Sequence, residues 1–252
     1  RPAPDLGHEE TFLRPGIWGI NVDPKECFRE YIANYLGLSR LYDTVFRHKT
    51  VQSFINAIPG LGESMILGRL MYSCQIETPR RFDLLIFDAP ASGHFLSMMQ
   101  TPRTIIDALK IGPLVKELRR INEFLSDGTL CSGVLVTTSE ELVVSETLEF
   151  LPQLQAADLP LQIQAVVINK VRQTTHTSED ALNAFITHYP ALEAVAHYCQ
   201  EKKRSSAAQV RLLLDKLADS HQLALMQLPD LGPLAEPLSE QVVAALLGTG
   251  GG

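Results

Sequence analysis

The chain has 252 residues, 45% of them hydrophobic, 20% charged and 7% aromatic. That is an ordinary globular composition and excludes a disordered chain. Lys and Arg number 22 against 29 Asp and Glu, a formal net charge of −7, which argues against nucleic acid as a partner, because neutralising phosphates requires clustered cations. The densest basic groups, Arg80-Arg81, Arg119-Arg120 and Lys202-Lys203-Arg204, are short and read as solvated faces. No apolar run reaches the roughly 18 residues of a membrane span and no secretory leader stands at the start, so a cytoplasmic protein is expected.

In chain order, Ile17–Val22 is a weak strand-like run, and Asp23 to Tyr72 reads largely as helix. Phe82–Phe87 is a stronger apolar run, followed by helical sequence over Leu96 to Leu125. Gly133–Thr137 is the next strand, and the helix after it should run from Glu140, with Ser139 as N-cap, to Leu151, ending before Pro152. Ile163–Ile168 is another strand, Ser178-Glu179-Asp180 opens a helix, and Leu192 to Leu217 is helical with a break expected near Ser205-Ser206. Ala224–Leu228 is the last strand, and Ser239 to Leu247 a closing helix before the glycine-rich tail. Continuous apolar strands separated by amphipathic helices are what a parallel sheet covered on both faces requires. The expected fold is therefore α/β, a doubly wound and mostly parallel sheet. One domain spans 1–252, with a helical subdomain over about 24–78 and 96–126 at the sheet's carboxyl edge.

Cys27, Cys74, Cys131 and Cys199 form no Cys-x-x-Cys pair and no zinc spacing with histidine. Met65, Met71, Met98 and Met99 fall in or beside the helical subdomain, where they either fill core or line an adaptable groove. His48, His176, His188, His197 and His221 show no metal spacing and read as surface residues.

The segment that carries chemistry is Asp83-Leu84-Leu85-Ile86-Phe87-Asp88-Ala89-Pro90-Ala91-Ser92-Gly93-His94. An apolar run ends in a carboxylate, a Pro/Ser/Gly loop follows, then a helix. At the carboxyl end of a parallel strand Asp88 would face the crevice where such sheets bind ligands, and could hold Mg²⁺ through its water shell. Gly93 lets a backbone N–H approach a phosphate without a Cβ in the way. The same spacing equally fits an aspartate that caps the next helix. The run ending at Ile168 continues Asn169-Lys170-Val171-Arg172. Its fourth position has no acceptor for guanine, so Asn169 either reads adenine or sits in a plain strand-to-loop turn.

These residues resemble the arsenite-pump and tail-anchored-protein-targeting ATPases, the anion-transporting family of deviant P-loop NTPases. Asp88-Ala89-Pro90-Ala91-Ser92-Gly93-His94 is similar to that family's switch II segment Asp-Thr-Ala-Pro-Thr-Gly-His. Pro59-Gly60-Leu61-Gly62-Glu63 resembles its Pro-Gly-x-x-Glu segment. Val134–Glu140 with Ser145-Glu146-Thr147 resembles its next strand and helix start. Asn169 falls at its adenine-contacting Asn, and Leu228-Pro229 at its last strand and adenine-side loop. The resemblance implies ATP and Mg²⁺ as cofactors, with Asp88 as the carboxylate near Mg²⁺. Gly93 and His94 belong to the loop that answers the γ-phosphate, and Asn169 and Pro229 flank adenine. It further implies a homodimer or paralogous heterodimer closed by nucleotide, coupled to a membrane-protein client or pump subunit.

The family's glycine-rich phosphate loop has no counterpart here, since no Gly-Lys dipeptide occurs in the chain. The expectation is that a strand–loop–helix unit of roughly 30 residues precedes Arg1 in the intact protein. A relative without that loop, serving as an interaction module for a paralogous ATPase, is the alternative. The opening residues resemble the family's switch I segment, with His8 at the position of its catalytic carboxylate.

Overall fold

A computed structural model describes residues 6–35, 58–75, 82–172, 178–218 and 223–230. The expected closing helix Ser239–Leu247, Arg80-Arg81, and His48, His176 and His221 lie outside them. The chain divides into two compact units, one of residues 1–131 with 157–161, the other of residues 132–156 with 162–252.

The first unit opens with an antiparallel hairpin, β1 (Thr11–Arg14) and β2 (Ile17–Gly19). The run expected to start a parallel sheet is thus half of a local ribbon. Its cause is Pro15-Gly16: proline presets the first turn position, and Gly16 takes the positive φ of 76° that the second demands. Four helices follow among the described residues: α1 (Pro24–Tyr35), α2 (Leu61–Gln75), α3 (Ser92–Leu109) and α4 (Pro113–Ser126). Their shared core takes Leu61, Met65, Leu67 and Met71 from α2, Met98, Met99 and Ile105 from α3, and Leu118, Ile121 and Phe124 from α4. All four methionines are 3% exposed or less, so they fill core and line no groove.

Residues 82–91, expected to be a strand through Phe87, form no strand among the described residues. Leu84 is 75% and Ile86 83% exposed. A strand exists only through hydrogen bonds to a neighbour, so β-propensity without a partner leaves the segment irregular.

The second unit holds a three-stranded parallel sheet in the order β3–β4–β5, made of Gly133–Thr138, Ile163–Val171 and Ala224–Pro229. These are three of the five strand runs read from the sequence, and they pair in parallel. The mixed helix and strand content with a parallel sheet is consistent with a P-loop NTPase-like α/β fold. Helices α5 (Glu141–Ala156) and α7 (Glu193–Leu217) pack on the face bearing Thr137, Val166 and Ile168. On the other face, Val134 and Val136 are more than half exposed among the described residues.

Two helix ends differ from expectation. Helix α5 runs through Pro152, because Phe150, Leu151 and Leu154 are buried on either side of it. Burying that stripe outweighs one lost backbone bond. Ser139 is not its cap: Ser139 Oγ accepts from Ser206 Oγ at 2.7 Å in a buried pair. That pair also explains why α7 passes Ser205-Ser206 unbroken. Helix α6 (Glu179–His188) opens where expected, and the structure adds its cap: Ser178 Oγ accepts from the Ala181 N–H at 3.1 Å.

Candidate functional site

Asp88 lies in the irregular segment that leads into α3 and is exposed. The helix has Ala91 as N-cap and no side-chain cap. The His94 and Phe95 N–H groups both donate to Ala91 O at 2.9 Å. The N–H groups of Ser92 and Gly93 precede the first helical bond and so remain to face a ligand. At the start of an 18-residue helix, those donors favour an anion. A Cβ placed on Gly93 would meet nothing within 4 Å, so phosphate oxygens have room there. An exposed carboxylate four residues ahead of open N–H donors offers the donor types that a Mg²⁺-phosphate group needs. Asp88, Gly93 and His94 are thus together in the first unit.

Asn169 and Pro229 are together in the second. They end adjacent parallel strands, with Val171 in register with Pro229 and the Asp230 N–H donating to Val171 O at 2.8 Å. Both stand at the carboxyl edge, where α/β sheets take ligands. Asn169 Oδ1 accepts from the Lys170 N–H at 2.9 Å, and Lys170 is held at a positive φ of 55°. The side-chain amide N–H₂ therefore remains for a base acceptor, while the carbonyl is occupied by the turn.

His8 is fully used in the structure. Its Nδ1 accepts from the Asp23 N–H at 3.1 Å, and its Nε2 lies 3.2 Å from Glu30 Oε1. With Nδ1 accepting, Nε2 is the ring nitrogen left to donate to Glu30. The structure also adds residues to which the sequence gave no role. Glu63 Oε1 lies 4.0 Å from His94 Nε2, and Arg69 contacts Glu10 at 3.5 Å and Glu30 at 3.4 Å. These partners are distant in the sequence, and no spacing rule joins them.

Residues 3–117 match the family model described as anion-transporting ATPase. That range contains Asp88, Gly93 and His94, and the Pro59-Gly60 segment. The matches support the anion-transporting ATPase family. Among curated relatives, ATPase BagA of Mycobacterium tuberculosis (strain ATCC 25618 / H37Rv) is 24% identical over 176 residues, covering 67% of this chain and 51% of its own length. Putative ATPase Mb3704 of Mycobacterium bovis matches at the same identity and coverage. ATPase ARSA1 of Chlamydomonas reinhardtii is 19% identical over 210 residues, 62% of this chain and 27% of its own length. The chain thus spans about half the length of the mycobacterial relatives. Among the described residues, no helix is long and apolar enough to cross a membrane.

Proposed function

We propose that this anion-transporting ATPase family chain binds and hydrolyses ATP with Mg²⁺, and couples nucleotide-driven dimer closure to a client or membrane partner. The observation that carries the reading is the join between Asp88 and α3: an exposed carboxylate, two N–H donors ahead of the first helical bond, and open space at Gly93. The family match over the same residues supports it.

Mg²⁺, when bound, neutralises phosphate charge and stabilises the charge of the transferring group. Asp88 would hold it through water. The Ser92 and Gly93 N–H groups would receive phosphate oxygens, and a γ-phosphate arriving there would bias the first turn of α3 and with it His94. Asn169 and Pro229 would form the base side, the Asn169 amide donating to an adenine ring nitrogen. The reading places the protein in the cytoplasm as a homodimer or paired with a paralogue.

Calorimetry of the intact protein with ATP, with and without Mg²⁺, tests this. Saturable, Mg²⁺-dependent binding is expected. Absence of ATP binding by the intact protein contradicts it.

A further inference from the structure

We propose that Thr138 is a further base-binding residue, whose hydroxyl accepts from the exocyclic 6-amino group of adenine beside the Asn169 amide. The inference rests on the nucleotide reading above and adds a point of specificity to its base side.

Three successive residues at the carboxyl end of β3 carry hydroxyls, and only two of them are used. Thr137 Oγ1 lies 2.7 Å from Thr147 Oγ1 of α5, and Ser139 Oγ accepts from Ser206 Oγ of α7 at 2.7 Å. All four of these residues are buried. Side chains alternate along a strand, so Thr138 turns to the opposite side from Thr137. Its Oγ1 is buried and has no hydrogen-bond partner among the described residues. A buried hydroxyl left unmet is costly, and an exception of this kind calls for a cause.

The position of Thr138 supplies one. It stands in register with Asn169 on the adjacent strand β4. Residues in register on paired strands share a face, with the strands about 4.8 Å apart. Asn169 Oδ1 is occupied by the Lys170 N–H at 2.9 Å, which leaves the amide N–H₂ to donate. The pair thus offers one fixed donor and one hydroxyl free to accept. Adenine presents the complement, a ring-nitrogen acceptor next to an amino donor on the same edge, so one planar base would satisfy both groups. Thr138 as a whole is part-exposed. A turn about χ1 exchanges its methyl and hydroxyl positions, so Oγ1 can swing to a ligand at this edge.

Calorimetry of the intact protein with Mg²⁺-ATP and with the Mg²⁺ complex of purine riboside triphosphate, which lacks the 6-amino group, tests the proposal. The wild-type protein should bind ATP roughly three- to tenfold more tightly than the analogue. Thr138→Val replaces the hydroxyl with a methyl of the same shape. It should weaken ATP binding by a similar factor and bind the two nucleotides alike, a coupling that a merely structural threonine would not show. Thr138→Ser keeps the hydroxyl and should keep the preference for ATP. Without nucleotide, Thr138→Val should melt above the wild type, because it removes an unmet buried group. A lower melting temperature would mean that the hydroxyl already has a partner and would overturn the inference. Thr138→Val with the wild-type preference for ATP intact overturns this inference alone. Absence of binding of either nucleotide by the wild-type protein overturns the nucleotide reading together with it.

Discussion

Glu117 shows how one residue's environment can be turned into a measurement. It is 5% exposed on α4, accepts from the Tyr72 hydroxyl, and is paired with Arg120 at 3.2 Å. Burial pushes its carboxyl above the ordinary value, against the opposing pull of Arg120. The folded chain therefore takes up this proton at higher pH than the unfolded chain does. The associated stability is complete below the unfolded value of 4.5 and is lost as pH rises through the higher folded value. The melting temperature of the wild type relative to Glu117→Gln should rise as pH falls from about 7 toward 4.5. A pH-independent difference would show that burial does not shift this group. The cysteines separate by the same logic. Burial pushes the Cys27 thiol up to about 12 and Cys131 to about 11, whereas Cys199 is exposed. Because the thiolate is the reactive form, Cys199 should react first with a maleimide in the native protein. Mass spectrometry that finds Cys27 modified first would contradict the packing.

At the scale of elements, Pro152 and Gly60 are backbone choices that can be scored. Pro152 is exposed inside α5. Pro152→Ala restores a helical N–H, at the expense of a freer unfolded chain. The net gain should be about 1–2 kcal/mol in urea unfolding, and a loss of stability would mean the ring packs usefully. Gly60→Ala meets both a left-handed φ and Thr101, so it should cost about 1–3 kcal/mol. A neutral result would mean that the α2 entry is not as tight as the structure has it. These cases also show what was legible in the sequence. Gly133–Thr138, Ile163–Val171 and Ala224–Pro229 announce themselves as continuous apolar runs, the pattern that parallel strands carry. Phe82–Phe87 carries the same signal and is unpaired among the described residues, because pairing depends on a neighbour that local sequence does not encode. Ile17–Val22 reads as a sheet strand from its apolar residues, whereas the Pro15-Gly16 turn folds Ile17–Gly19 back on Thr11–Arg14. The Asp88 segment and Pro59–Glu63 were legible as motifs, whereas Arg69 and the approach of Glu63 to His94 were not, since tertiary contacts alone bring these groups together.

Across the molecule, the family match covers residues 3–117, while Asn169 and Pro229 lie beyond it in the second unit. The proposed reading gives Asn169 and Pro229 the base side of the nucleotide. Mg²⁺-ATP would then stabilise by about 2.7 kcal/mol at a hundredfold excess over Kd, and Asn169→Ala should weaken ATP binding without unfolding the first unit. Equal affinity in that variant, measured by calorimetry, would remove Asn169 from the site. The most direct test of the whole account is steady-state ATP turnover of the intact protein against Asp88→Asn. Turnover should require Mg²⁺ and fall at least about tenfold in the variant, a barrier rise of roughly 1.4 kcal/mol or more. Undiminished turnover in Asp88→Asn would contradict the role given to that carboxylate.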